Sequence, residues 1–172
     1  MRRGYDAKAH PAPHLRGDLG PNDHASAAHI STRLDHAQTD ALLNEVPAVY
    51  QTQINDLLLT ALLLAWKEWT GQSALLLELE GHGRESLTEL REDLFEVDLS
   101  RTVGWFTTIF PVRLELTTLS LGNTIKNIKE QLRQVPNRGI GYGILRYLHP
   151  KGMISSADVP DVNAQVSFNY LG

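Results

Sequence analysis

The feature that most constrains the fold is a short apolar run that ends in a glycine-rich polar loop. Residues 75–79 read LLLEL, and the run stops at Glu80, Gly81, His82 and Gly83. Because the run is too short for a helix and lies between glycines, we predict a central strand over residues 73–80. Loops at strand ends usually carry the chemistry of α/β proteins. The first candidate functional residues therefore lie at the end of a buried strand: Glu80 is its last residue, and His82 follows it.

Composition excludes several functional classes. The 172 residues carry a formal net charge of −4 and include no cysteine. Since there is no basic stripe to release counterions, nucleic acid is not an expected partner. The lack of thiols excludes disulfides, thiolate metal sites and a cysteine nucleophile, and it fits a cytoplasmic location. The longest apolar run, residues 57–66, is far too short to span a bilayer, so no membrane partner is expected.

The remaining periodicity predicts helices and strands in one chain, and hence an α/β fold. Strands are predicted at residues 27–34, 73–80, 109–116 and 164–168, and residues 109–116 alternate as a half-buried strand with one face formed by Phe110, Val112, Leu114 and Leu116. A helix is predicted at residues 37–44, with Asp35 or Thr39 as its cap, and Pro47 either ends it or lies in its exit turn; another helix follows a cap at Ser120 or Asn123. Residues 86–95 are predicted as helical or irregular, residues 138–143 as a turn, residues 144–148 as a short helix and residues 150–161 as a loop.

The longest predicted helix runs through a leucine-rich segment. Its cap is predicted at Asn55 or Thr52, and Gly71 is its C-terminal stop. Apolar residues at helical spacing predict a buried seam of Leu57, Leu58, Ala61, Leu62, Ala65, Trp66 and Trp69, and Leu59, Leu63 and Leu64 widen this face. Two tryptophans could form a shelf for a ligand, but at helical spacing both are predicted to lie in the core.

Glu80 and His82 are the strongest candidates for catalytic residues. A carboxylate at a strand end between glycines could be partly desolvated and act as an acid or a base. The alternative is an ion pair of Glu80 with Arg84 or Arg101. In the same way, His82 is either catalytic or structural.

A metal site is not expected. His10 and His14 lie together, but no second cluster is near them and their spacing fits no known site. Residues 1–24 are rich in proline, glycine, histidine and charge without periodicity, and they are predicted to be a leader or a poorly ordered loop. The chain also lacks the motifs of serine hydrolases, phosphate-binding loops and zinc proteases.

Four motifs occur in order along the chain. They read EGHGRE at residues 80–85, RTVGWFTTIF at 101–110, PNRGIGYG at 136–143 and FNYLG at 168–172. Together they resemble the later core motifs of epimerization domains of nonribosomal peptide synthetases, and YQTQINDLLL at residues 50–59 resembles the same family. The first motif favours epimerization domains over condensation domains, which share the fold. The resemblance implies the C-terminal lobe of a two-lobed, chloramphenicol-acetyltransferase-like α/β fold, with a mixed sheet packed by helices.

The resemblance also implies an activity and a site. Such isomerases interconvert the L and D configurations at the α-carbon of an aminoacyl or peptidyl thioester, which a partner carrier domain holds on its phosphopantetheine arm. No cofactor is bound directly. Glu80 is implied as one acid/base group, and a His of a His-His-x-x-x-Asp-Gly motif as the other. His82, Trp105, Asn169 and Tyr170 are implied as substrate-binding residues, with strand-end packing as the alternative for the last two.

The sequence departs from this family in one respect, because it contains no His-His-x-x-x-Asp-Gly motif. Residues 25–172 are therefore predicted to be part of a C-terminal lobe without its N-terminal lobe. We expect the chain alone to be inactive, which leaves its status as an enzyme open. Two hypotheses follow: a piece of an epimerization domain that needs a His-bearing partner lobe, or a non-catalytic lobe that binds a carrier domain or has decayed.

Overall fold

A computed structural model describes residues 23–84, 98, 101–118, 120–148, 164 and 166–171. Its helices are α1 (His36–Asp40), α2 (Val46–Tyr50), α3 (Ile54–Thr70), α4 (Leu121–Arg133) and α5 (Ile140–Gly143). Its strands are β1 (Ala74–Gly81), β2 (Thr108–Glu115) and β3 (Val166–Phe168). Short 3₁₀ turns lie at His24–Ser26 and Pro136–Gly139, and π-helical turns lie at Ala41–Glu45 and Ile144–Leu148. Residues 1–22, 86–95 and 150–161 lie outside the described residues, so the leader and the two segments predicted there stay predictions.

The three strands form one mixed sheet in the order β2-β1-β3. β1 and β2 are antiparallel along their full length, with Ala74 opposite Glu115 and Gly81 opposite Thr108. β1 and β3 are parallel, with Leu79 opposite Phe168. The predicted central strand and the mixed sheet are therefore confirmed. Because β1 and β3 are parallel, the residues after β3 leave the sheet at the same end as Glu80.

The core lies between one face of this sheet and the helices α3 and α4. Alternate side chains of the sheet enter it, namely Leu75, Leu77, Leu79, Phe110, Val112, Leu114 and Leu116. Across from them α3 contributes Leu59, Leu63 and Trp66, and α4 contributes Ile128. Burial of each such side chain stabilises the fold by about 1.5–3 kcal/mol. The predicted register of residues 109–116, with the even-numbered side chains buried, is confirmed.

Helix α3 is confirmed, but its buried face differs from the predicted seam. The buried residues of α3 are Asp56, Leu57, Leu59, Thr60, Leu63 and Trp66. Ala61 and Ala65 are exposed, and Trp69 is 70% exposed. Trp66 lies in the core and its indole N–H donates to the carbonyl of Ala74 at 3.2 Å. The prediction that both tryptophans are core residues was therefore wrong for Trp69, whose ring contacts that of Trp66 from the solvent side.

The start of α3 also differs from the prediction. The helix is capped at Gln53, rather than at Asn55 or Thr52. The backbone N–H of Gln53 donates to the carboxylate of Asp56 at 2.8 Å, so an acidic side chain inside the first turn closes the helix start. The predicted stop at Gly71 is confirmed, because this residue has the left-handed φ of 76° that ends many helices.

The other predicted caps are mostly confirmed. The Asp35 carboxylate accepts the backbone N–H of Gln38 at 2.8 Å and caps α1, and Ser120 is the cap residue of α4. Contrary to the prediction, Pro47 neither ends a helix nor lies in an exit turn. It occupies the first turn of α2, where its missing N–H is not needed, and the chain stays helical to Tyr50.

Two predicted segments take other forms. The strand predicted at residues 27–34 is absent: this segment is exposed, with Ile30 99% exposed, and it pairs with no described strand. Two apolar residues in weak alternation do not bury enough surface to hold a strand on a sheet. The turn predicted at residues 138–143 is instead a 3₁₀ turn followed by α5, and the short helix predicted at residues 144–148 is a π-helical turn.

The packing of α4 on the sheet predicts a large effect of one truncation. Ile128 is fully buried in the core, so Ile128→Ala should lower the free energy of unfolding by about 2–5 kcal/mol, through lost burial and a cavity. Urea denaturation of the full chain measures this. Ile30→Ala is the matched control, because Ile30 is exposed and the change should stay within about 0.5 kcal/mol. Equal effects of the two substitutions would contradict this core.

Candidate functional site

A cavity of about 320 Å³ opens at the C-terminal end of β1. Five parts of the chain form its walls: the start of α3, the end of β1, β2, the end of α4 with the turn after it, and the residues around the end of β3. Its apolar lining includes Leu59, Leu79, Phe110, Leu132, Val135 and Phe168. Its polar lining comes from Gln53, Asn55, Asp56, Glu80, His82, Arg138 and Tyr170. Apolar and polar residues therefore contribute about equally to the lining, and a cleft with convergent polar groups is a common form of small-molecule site.

The structure brings together some of the residues predicted to form a site. Glu80, His82 and Tyr170 line the cavity, and Glu80 is half-buried. Trp105 is 91% exposed and Asn169 is exposed, and neither belongs to the cavity lining among the described residues. The roles of all five residues stay predictions.

Glu80 lies at the end of β1 and lines the cavity. It is the second-last residue of β1, opposite Ile109 of β2. In the part of the chain that the structure describes, its carboxylate forms no ion pair, including none with Arg84 or Arg101, the partners considered from the sequence. Glu80 therefore lines the cavity, and its carboxylate forms no ion pair with another described residue.

The loop after Glu80 is held by contacts with the second motif. The Arg84 guanidinium donates to the carbonyl of Thr102 at 2.8 Å and lies 4.5 Å from the centre of the Phe106 ring. Gly83 has a left-handed φ of 66°, and a Cβ at this position would overlap the carbonyl of Phe106. Glycine is required there, because no other residue allows both this backbone conformation and this close approach. The first two motifs therefore form one packed unit.

The same loop orients His82. The backbone N–H of Arg84 donates to Nδ1 of His82 at 3.0 Å. Since Nδ1 accepts this bond, the proton of the neutral imidazole lies on Nε2. His82 is exposed at the rim of the cavity, so its ring can reach a molecule that enters.

Sequence reasoning missed Arg138 and the polar residues of the first turn of α3. Arg138 lies inside PNRGIGYG, which served only as a mark of resemblance. Three consecutive residues of this turn, Asn137, Arg138 and Gly139, have φ values of 47°, 50° and 82°. A Cβ at Gly139 would overlap the Phe110 ring. The Asn-Arg-Gly sequence directly after Pro136 could have predicted this turn, because asparagine and glycine favour left-handed backbone conformations.

Two other kinds of site are absent from the described ranges. Within them, no group of three or more His, Asp or Glu side chains could hold a metal ion. Likewise, no described helix has both the length and the apolar character that a membrane crossing requires.

Comparison with known proteins identifies related sequences. The family model for the condensation domain matches residues 16–172. Chondramide synthase cmdD of Chondromyces crocatus is 51% identical over 94% of this chain. Bacitracin synthase 3 of Bacillus licheniformis is 43% identical over 90% of it. The chain spans 4% and 2% of the lengths of these two proteins.

Solved structures give the same result. The epimerization domain from the third module of tyrocidine synthetase B is 42% identical, with a TM-score of 0.67 over 80% of this chain and 29% of that chain. The condensation domain of monacolin K polyketide synthase MokA has a TM-score of 0.50 at 18% identity over 69% of this chain and 25% of that chain, and bears on the fold alone. The predicted fold class and the predicted resemblance are both confirmed.

The turn that borders the cavity predicts a contrast between two glycines. Gly139→Ala should be destabilising, because it adds about 1–3 kcal/mol of overpacking against Phe110 and about 1–2 kcal/mol for a left-handed residue. Thermal and urea unfolding of the full chain measure this loss. Gly141→Ala is the control: it meets no neighbour within 4 Å and lies in α5, so it should leave stability unchanged or raise it. A harmless Gly139→Ala would contradict the close packing of this turn on β2.

Proposed function

Because the chain belongs to the condensation-domain family, we propose that it supplies one lobe of a nonribosomal peptide synthetase epimerization domain. One observation carries the proposal: Glu80, the first residue of EGHGRE, lines a cavity at a strand end and forms no ion pair within the described residues. The 42% identity to an epimerization domain supports epimerization rather than condensation.

The proposed reaction exchanges a proton at the α-carbon of a thioester. The Glu80 carboxylate removes this proton, the C–H bond breaks, and the electron pair moves onto the thioester carbonyl oxygen to give an enolate. Return of a proton to the opposite face inverts the configuration, and this step needs a second acid/base group on that face. We assign the second group to a His of a His-His-x-x-x-Asp-Gly motif on a partner lobe, since the 172 residues contain no such motif.

The proposed substrate is an aminoacyl or peptidyl thioester on the phosphopantetheine arm of a carrier domain. The residues present fit such an arm, because the amide side chains of Gln53 and Asn55 line the cavity and can pair with amide groups. His82 and Tyr170 also line it and keep their predicted role as substrate contacts. Trp105 and Asn169 would have to meet the substrate outside the cavity.

The test is deuterium uptake at the α-carbon of a carrier-bound aminoacyl thioester in heavy water, followed by mass spectrometry. The full chain is assayed alone and with the His-bearing N-terminal lobe of an epimerization domain. We expect exchange only when both are present. Glu80→Gln should then lower the exchange rate by about 10²- to 10⁴-fold, the usual contribution of a general acid or base.

Glu78→Gln is the matched control for this substitution. Glu78 lies on the same strand, is half-buried like Glu80 and is absent from the lining of the Glu80 cavity, so its substitution should leave exchange unchanged. Exchange by the chain alone would contradict the two-group mechanism. No exchange with or without the added lobe would favour the alternative, a lobe that binds a carrier domain without catalysis or has decayed.

A further inference from the structure

Arg138 is the one arginine that the structure places in the lining of the Glu80 cavity, among the described residues. It belongs to the 3₁₀ turn Pro136–Gly139, whereas Glu80 ends β1, so the fold brings together opposite charges from distant parts of the chain. Its carbonyl oxygen lies 3.8 Å from the position that a Cβ on Gly81 would occupy. The turn therefore contacts the strand end directly beside Glu80.

The backbone of Arg138 has a conformation that favours glycine. Its φ and ψ are 50° and 31°, and Asn137 before it has 47° and 37°. Asparagine tolerates this left-handed region, whereas for arginine it carries a steric cost. A glycine at position 138 would adopt the same conformation without steric cost. Strained residues of this kind cluster at active sites, which points to a role for the arginine side chain.

Two contacts hold this turn in place. The backbone N–H of Arg138 donates to the carbonyl of Val135 at 3.3 Å. Gly139 packs so closely on Phe110 that its missing Cβ is what permits the contact. Because Phe110 belongs to β2, which pairs with β1, the position of the turn is set relative to Glu80 by the sheet itself.

We propose that Arg138 is a further catalytic residue, whose guanidinium stabilises the enolate oxygen. This inference rests on the proposed function. When Glu80 takes the α-proton, negative charge develops on the thioester carbonyl oxygen, and it disappears when the α-carbon is reprotonated. A guanidinium remains charged at any working pH and offers several N–H donors, so it can stabilise this charge without transferring a proton itself. Donors that are already in place where charge develops act mainly on the transition state.

The experiment uses the same exchange assay, with the full chain and the added His-bearing lobe. Arg138→Gly and Arg138→Gln should lower the maximal exchange rate by about 10- to 100-fold, the range expected for one lost charge-assisted hydrogen bond. The concentration of carrier that gives half-maximal rate should stay within about 2-fold, because the interaction forms in the transition state. Arg138→Lys keeps the charge and should recover part of the rate.

A stability measurement separates this role from a structural one. A glycine fits the left-handed backbone of position 138 whereas glutamine keeps its steric cost, so the melting temperatures of Arg138→Gly and Arg138→Gln are measured beside their exchange rates. The control is Arg133→Gln: Arg133 lies at the end of α4, pairs with Glu130 at 3.2 Å and is absent from the cavity lining, so exchange should not change.

The outcomes are distinct. Slow exchange in the glycine variant with unchanged or raised melting temperature, partly restored by lysine, supports the proposal. Unchanged exchange in the glycine and glutamine variants, while Glu80→Gln abolishes it, overturns the role of Arg138 and leaves the proposed function standing. Loss of exchange together with a lowered melting temperature in the glycine variant would show a structural role instead. No exchange by the unsubstituted chain with the added lobe overturns the proposed function and this inference with it.

Discussion

The hydrogen bonding of β1 to a strand on each side is the constraint on which the rest of this structure depends. β2 lies antiparallel on one side of β1 and β3 parallel on the other, so the backbone of β1 is held along its length. Its alternate leucines must then face α3 and α4, where they form the centre of the core. Glu80 follows these leucines at the end of the strand, where it lines the cavity.

The site is built by close backbone approaches more than by hydrogen bonds between side chains. Gly83 packs on the carbonyl of Phe106, and Gly139 packs on the ring of Phe110. Each contact joins one of the sequence motifs to the strand region at the cavity, and neither leaves room for a Cβ. Gly83 and Gly139 are therefore structural requirements of the loops that carry His82 and Arg138.

The sequence predicts local features of this structure well and non-local ones poorly. The central strand, the register of β2 and the position of Glu80 at a strand end follow from apolar runs and glycines close together in the chain. The buried face of α3 was mispredicted because leucines lie on nearly every side of that helix, so tertiary packing decides which of them are buried. Arg138 lines the cavity because Gly139 packs on Phe110. Tyr170 lines it because β3 pairs in parallel with β1. No periodicity within a single segment contains that information.

The charged groups of the cavity bear on our proposal that a second lobe completes the site. Glu80 and His82 are two residues apart on one strand end, so both approach a bound molecule from the same side. Asp56 also lines the cavity, but its carboxylate accepts the backbone N–H of Gln53 and closes the start of α3. Arg138 carries a permanent charge and cannot exchange a proton at ordinary pH. On the proposed mechanism these groups act at one face of a planar enolate, and we assign the proton donor for the opposite face to the partner lobe.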